Sequence, residues 1–460
     1  MKKHIVILLA LFAFAISHAQ SYVGLETDNY AGVHGLIFNP ANVADSRMQL
    51  DINLATVDGL FGTDYLDLNL SNATKLLSED FEFDEDLDRF PKEDNKFLLN
   101  VDIVGPSFMF NLSPKSSIGL ITRVRAIMNV NNVNGELFEN LADEFDLTQD
   151  FNFNMEETNT TTHVWGEVGL TYGRVLMDKE KNFLKGGVTL KHLVGAGIAQ
   201  GNSNSINGDF NSVTNQFTSS GSLEYNTTLD PDDDYSFEDT SSGFGMDLGL
   251  VYEFRPKFMN YNPDEDDYRG KNKYKLKISA SLTDIGSITY EDVETENYNL
   301  NASFNGATEF DKDFQELLDD NYTSTSTVED VKVKLPTTLR LNADYSFSKN
   351  FFTSVNLVQS LNDKNEAYST RTLSMFSITP RYESKIFSLF MPISFNEYGS
   401  AIGAGIRLGP LMIGSNSIIT NLTSKEAKLA NVYAGLKIPI YQRSKIKKNA
   451  SVKKRKNNAN

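Results

Sequence analysis

Leu339-Arg340-Leu341-Asn342-Ala343-Asp344-Tyr345-Ser346-Phe347 alternates between apolar residues and charged or small polar ones. A period of two places successive side chains on opposite faces of an extended strand, so one face of this segment is apolar and the other wet. The same dyad recurs along the chain. Leu50, Ile52 and Leu54 alternate with Asp51 and Asn53, and Met246, Leu248, Leu250 and Tyr252 oppose Asp247, Gly249 and Glu253. Leu276, Ile278, Ala280 and Leu282 oppose Lys277, Ser279 and Ser281. Ile402, Ala404, Ile406 and Leu408 oppose Gly403, Gly405, Arg407 and Gly409. Alternation of this kind, repeated many times, is the pattern of a transmembrane β-barrel with lipid outside and a polar interior.

Segments near 47–58, 97–111, 117–131, 160–177, 183–199, 242–255, 274–290, 336–347, 350–361, 372–383, 386–397, 400–409, 411–422 and 429–441 fit the pattern. The predicted fold is all-β: a transmembrane antiparallel barrel of about 14 strands. The connections agree. Those at 59–96, 132–159, 200–241 and 291–335 are long. The turns Ser113-Pro114-Lys115-Ser116, Asp178 to Asn182, Ser348-Lys349-Asn350, Ser384-Lys385 and Gly409-Pro410 are short. Bacterial barrels show this asymmetry, with short turns in the periplasm. One periplasmic connection, 256–273, is long and acidic (Asn262-Pro263-Asp264-Glu265-Asp266-Asp267). Leu137 to Phe145 and Phe314 to Leu318 read as short amphipathic helices within outer loops.

The 460 residues carry 61 acidic and 43 basic side chains and no cysteine. Absent cysteine excludes disulfides, thiolate metal sites and a Cys nucleophile, and the acidic balance argues against nucleic acid as a partner. Lys2 and Lys3, the apolar run Ile5 to Ile16 and Ser17-His18-Ala19 read as a signal peptide, residues 1–19. Residues 20–46 are then an N-terminal hatch segment, 47–441 the barrel and 442–460 a basic tail. From Arg443 onward eight Lys or Arg occur and no acid. An even strand count puts both mature termini in the periplasm. The tail reads either as a simple extension or as a tether in which Lys447, Lys448, Lys453, Lys454, Arg455 and Lys456 meet a periplasmic protein or cell-wall partner.

Just before the first strand stands Gly35-Leu36-Ile37-Phe38-Asn39-Pro40-Ala41-Asn42-Val43-Ala44. Pro40 fixes its own φ and pushes Asn39 to extended geometry, and Asn39 can bond its neighbouring backbone in a compact turn. An Asn-Pro-Ala box at this place resembles the start of FadL-like and PorV-like outer-membrane barrels. Arg407-Leu408-Gly409-Pro410-Leu411-Met412-Ile413-Gly414-Ser415-Asn416 resembles a hairpin of an uncharacterised Bacteroidota barrel family. The resemblance implies an outer-membrane barrel whose hatch, with Asn39, Pro40 and Ala41, enters the lumen as a fixed plug or a moving gate. It implies no substrate.

The alternation turns Asp51, Asp102, Arg123, Arg125, Glu167, Lys191, Asp247, Glu253, Lys277, Arg340, Asp344 and Arg407 inward. Both signs occur, so they either pair to stiffen the interior or line a polar pathway. Past the predicted signal only His34, His163 and His192 remain. No Gly-x-Ser-x-Gly elbow, phosphate loop or His-Glu-x-x-His pair accompanies them, so neither an enzyme nor a cofactor or metal site is expected. Apart from membrane lipid as its surroundings, the expected function is an anchoring or assembly subunit for a periplasmic or cell-surface complex. The alternative is a FadL-like transporter of small hydrophobic compounds.

Overall fold

The structure is a computed structural model that describes residues 22–70, 88–142, 145–229, 240–256 and 270–442. The predicted signal peptide and the tail beyond Gln442 lie outside the described residues, as does Asn262 to Asp267.

The wall is one antiparallel sheet closed on itself into a 14-strand barrel. The last strand, Leu429–Tyr441, returns to the first, Met48–Thr63, with Met48 opposite Tyr441 and Ile52 opposite Ile438. Closure removes the sheet edge, so every wall backbone group can be paired without water. Four passes are interrupted. Asn95–Val104 and Ser107–Asn111 break at Gly105-Pro106, and Thr323–Lys334 and Thr338–Ser346 at Leu335-Pro336-Thr337. Phe387–Phe390 and Ile393–Asn396 break at Met391-Pro392, and Gly399–Ile402 and Ala404–Leu408 at Gly403. Proline has no N–H to give to the ladder, which accounts for three of the four.

Leu170, Leu190, Leu250, Ile278, Leu341, Leu357 and Ile378 point outward and are exposed. Tyr345, Phe347, Phe351, Tyr382 and Phe387 pair edge-on or tilted around the rim of short turns. An apolar band ended by an aromatic girdle is the exterior of a barrel that spans a bilayer. The dyad slips twice in the first strand, first between Met48 and Leu50. A bulge between Asn53 and Ala55 turns both Leu54 and Ala55 outward before Thr56 and Asp58 resume the inner face.

Two expectations are corrected. The connections 200–241 and 291–335 are largely strand, and 132–159 is a helix followed by strand from Phe151. Phe151–Lys179 and Asn182–Asn211 run past the wall on the rim away from the termini. Beyond it Gln216–Thr227 pairs with Asn182–Asn211 on one side and Leu276–Asn299 on the other. These stretches are rich in Ser, Thr, Asn and Gly because both faces leave the lipid, so no apolar dyad marks them. They form a distal head with its own core of Phe153, Met155, Phe210, Phe217 and Phe310. The ring of Phe145 stacks on Phe310 at 3.8 Å. The helices in this region run Gly135–Ala142 and Phe314–Asn321. Second, the segment 411–422 is strand only over Leu411–Ser415 and then becomes the helix Ile418–Thr423. The Ser415 hydroxyl accepts from the N–H groups of Ser417 and Ile418 and turns the chain there.

Leu170→Arg, on the lipid face, is expected to destabilise the barrel by about 2–4 kcal/mol where it falls near the bilayer midplane. Val213→Arg, in a turn of the distal head, should leave stability unchanged. Heat-modifiable gel migration of the two variants in lipid vesicles checks the difference.

Candidate functional site

Residues 22–47 fold inside the barrel, in the half nearest the termini, as three short helical turns. These are Leu25–Thr27, His34–Phe38 and Pro40–Val43. Tyr22, Leu25, Val33, Leu36, Phe38 and Val43 pack on the wall residues Val104, Met109, Ile121, Phe390 and Tyr433. Asn39 opens the Pro40–Val43 turn. Its Oδ1 accepts from the Ala41 N–H at 2.9 Å, and Pro40 occupies the first helical position, where its missing N–H costs nothing. Its Nδ2 donates to the wall carbonyls of Leu250 at 3.2 Å and Ala280 at 3.1 Å.

The box sits on a row of wall residues without side chains. Gly173 lies opposite Gly187, Gly187 opposite Gly249, and Gly249 opposite Ser281. A Cβ on Gly187 would stand 2.5 Å from the Pro40 carbonyl group, and one on Gly249 would strike the Asn39 amide oxygen. One on Gly173 would strike Val43, and Ser281, at the end of the row, donates to the Phe38 carbonyl at 2.5 Å. Here glycine is a requirement of close backbone approach.

The inward charges meet partners. Arg123 grips Asp102 through Nε at 2.9 Å and Nη2 at 2.6 Å, and reaches Glu167 at 2.9 Å. Lys191 contacts Asp284 at 2.6 Å, Asp247 at 3.0 Å and Glu167 at 3.6 Å, while Arg125 reaches Asp284 at 2.9 Å. This layer lies above the hatch on six adjacent passes of the wall. A second set ties the hatch to the wall. Arg407 holds Asp28 at 2.9 Å, Asp51 accepts from the Val33 N–H at 2.9 Å, and Arg340 stands 3.9 Å from Glu26. Asp344 pairs with Arg381 at 2.9 Å and accepts from Tyr274, and Lys277 approaches it at 3.4 Å. Thus Asp51, Arg340 and Arg407 touch the hatch, Arg123, Arg125 and Asp247 lie in the layer above it, and Asp344 belongs to a wall network reaching Thr27 through Arg381.

At the rim nearest the termini, Asp45 closes the hatch against Arg255 at 2.7 Å and Lys273 at 3.0 Å, with Arg47 beside them. Burial alone would raise the Asp45 carboxyl, but Lys273, Arg255 and Arg47 hold it well below the usual carboxylate range. The carboxylate is therefore ionised at neutral pH, and its contribution is lost only in strong acid, as pH falls through the depressed value.

Toward the distal rim the lumen turns apolar. Trp165, Leu193, Ile198, Ile288, Tyr290, Val331, Val333 and Leu335 form one buried cluster, with Tyr368 packed against it. Tyr368 comes from the segment 361–374, which folds into the mouth. Its N–H donates to Gln200 at 3.2 Å and its carbonyl accepts from Lys334 at 2.9 Å. Arg125 lies over the Trp165 ring at 4.8 Å, where the charged layer meets the apolar one.

His163 stacks on Trp165 and bonds Tyr290, while His192 faces outward beside Phe244, so the two do not converge. Three cavities around the hatch hold about 40, 30 and 20 Å³, room for a few water molecules. Alternation missed the hatch acids Glu26, Asp28 and Asp45, which lie off the strands. It missed Asp284 because a left-handed residue there (φ 58°) interrupts the dyad. The residues that fix Asn39, Pro40 and Ala41 in place are glycines, and the spacing of Gly173, Gly187 and Gly249 on inward positions was the available signal.

Residues 40–416 match a family described only as one of unknown function. No curated protein matches the chain. Among solved structures, the Ralstonia pickettii toluene transporter TbuX aligns at 10% identity over 90% of this chain and 95% of its own, with TM-score 0.42. A deletion mutant of the monoaromatic hydrocarbon channel TodX aligns at 10% identity over 89% and 93%, with TM-score 0.44. A Pseudomonas aeruginosa FadL homologue aligns at 11% identity over 88% and 91%, with TM-score 0.35.

Gly187→Leu is expected to unseat the box, since the Pro40 backbone occupies the space its side chain needs. Trypsin should then cut after Arg47, which is 4% exposed in the seated hatch. Equal resistance of Gly187→Leu and the native protein in folded, vesicle-inserted samples would show that the glycine row is not the seat. Asp28→Asn leaves Arg407 buried without its counter-charge and should cost about 3–5 kcal/mol of stability, read by thermal unfolding.

Proposed function

Because the chain belongs to the family DUF5723, whose function is unknown, we propose a reading from its lumen: an outer-membrane barrel that passes small apolar compounds and is held here in its closed state. One observation carries it. Barrel interiors are ordinarily polar, yet the distal half of this lumen is lined by Trp165, Leu193, Ile288, Tyr290, Val331, Val333 and Leu335. Its cover, Tyr368, belongs to a connecting segment rather than to the wall. A small apolar compound entering from outside would displace Tyr368 and bury itself there, gaining roughly 25 cal/mol per Å² of apolar surface removed from water. The charged layer and the hatch then stand between that cluster and the periplasm. The hatch is bound through ion pairs and carbonyl contacts, groups that water can satisfy when it moves, and through apolar packing of Tyr22, Leu25, Leu36 and Phe38 on the wall, which its movement would have to break.

The anchoring reading draws its one structural argument from the same closed lumen, since a plugged barrel also suits an anchor. Its proposed contact, the tail from 442, lies outside the described residues. A luminal apolar cluster covered by a side chain from a connecting segment suits a conduit better than an anchor.

The chain has a single tryptophan, and it lies in this cluster. Bromobenzene, a heavy-atom quencher, should quench Trp165 fluorescence saturably in the purified protein. Val333→Asp, which sets an unpaired carboxylate among apolar neighbours, should weaken this at least tenfold, ~1.4 kcal/mol. Quenching that is linear and unaffected by Val333→Asp would reject the cluster as a binding site.

A further inference from the structure

The sheet of the distal head ends in an edge strand. Thr323–Lys334 runs beside Leu276–Asn299, from Thr323 opposite Asn299 to Glu329 opposite Val293. Among the described residues no strand pairs with its other side between Thr323 and Asp330. Thr323-Ser324-Thr325-Ser326-Thr327-Val328-Glu329-Asp330 is exposed at every position, Val328 at 61%.

Proteins commonly blunt such edges with lysine, proline, a bulge or brevity, because a row of unpaired N–H and C=O groups recruits another strand. This edge has no lysine or proline before Lys332, and its bulge comes only at its end, between Glu329 and Val331. Its Thr and Val residues favour extended backbone. The surroundings are strongly acidic. Between Glu291 and Asp330 the chain carries twelve Asp or Glu and one basic residue, Lys312, which is paired with Glu309 and Asp320. Glu296 and Glu294 lie opposite Ser326 and Val328, so carboxylates flank the edge itself. A second copy of the chain would bring the same negative field and be repelled.

We propose that Thr323–Asp330 is a docking edge for an extended, cationic segment of another protein, which adds to the head as one more strand. Main-chain hydrogen bonds supply the affinity, and Glu294 and Glu296, which share one face of the sheet, select lysine or arginine at alternate positions. The site stands apart from the lumen and does not depend on what the barrel passes.

The test uses the full-length protein in detergent and three fluorescein-labelled octapeptides read by anisotropy. One alternates lysine with threonine and valine, one has glutamate in place of lysine, and one keeps the lysines but has proline at the alternate positions. The lysine peptide should bind at least about tenfold tighter than the other two, ~1.4 kcal/mol, and the binding should fall with added salt. Thr325→Lys/Thr327→Lys, which guards the edge on exposed positions, should lower the affinity by a similar factor with unchanged thermal unfolding. Glu294→Gln/Glu296→Gln should weaken the lysine peptide and reduce its preference over the glutamate peptide. Equal binding of the proline peptide, or indifference to Thr325→Lys/Thr327→Lys, would overturn the proposal. Self-association abolished by Thr325→Lys/Thr327→Lys, in the absence of peptide binding, would overturn it in favour of a homotypic contact.

Discussion

A closed wall satisfies its own backbone and in doing so commits every second side chain to the interior. With about eight strands those side chains can fill the space; at 14 strands the lumen is wider than they can bridge. The rest of the structure answers that constraint. Charges pointed into a water-poor interior must be paired or they cost several kcal/mol each. The wall supplies more bases than its acids can satisfy near the termini, and the hatch supplies what is missing. Asp28 answers Arg407, and Asp45 answers Arg255 and Lys273. The Ala44 carbonyl accepts from Lys185, and those of Tyr30 and Ala31 accept from Lys437. Wall and hatch are each electrostatically incomplete, so the hatch cannot leave without water or counter-charge taking its place.

Above the hatch the same rule produces a different layer. The Arg123, Arg125 and Lys191 cations and the Asp102, Glu167, Asp247 and Asp284 carboxylates pair among wall strands alone. This layer takes no partner from the hatch for these pairs. Beyond it lies the apolar cluster. Stacking an ionic stratum directly under an apolar one is electrostatically tolerable because Arg125 belongs to both, bonded to Asp284 and lying over the Trp165 ring. The lumen is therefore graded rather than uniform: hatch contacts, then wall-to-wall ion pairs, then hydrocarbon.

How much of this was legible in the sequence follows the physics of each part. The wall was, because lipid on one side and polar groups on the other impose the dyad on every pass, and Leu339 to Phe347 displays it without interruption. The distal head was not, because strands that leave the bilayer lose the lipid side. A stretch such as Gly201 to Asn211 has no alternation to detect and reads as a loop. The inward direction of Arg407 could be inferred; its partner Asp28, 379 residues away, could not, since a hatch enters the lumen at an angle that no local period records. Bulges limit the method within the wall too. Leu54 and Ala55 face the same way, and a reading that carried strict alternation past Asn53 would invert Thr56 and Asp58.

The glycines place hatch and wall under a joint constraint. Glycine weakens a strand interior, because it loses backbone entropy and packs nothing, so three in register across adjacent strands call for a compensating contact. That contact is the Asn39-Pro40-Ala41 backbone, seated where Gly187 and Gly249 leave no Cβ, with Gly173 making room for Val43. Pro40 can approach so closely because it has no N–H to satisfy at the wall, and Asn39 turns its amide to wall carbonyls that face the same groove. The box is thus half of a lock whose other half is a row of missing side chains some 130 to 210 positions further along the chain. Substitution on either side strands the other. A bulky residue at 187 expels a hatch whose own sequence is intact, and loss of the box leaves a wall weakened by glycines with nothing laid against them.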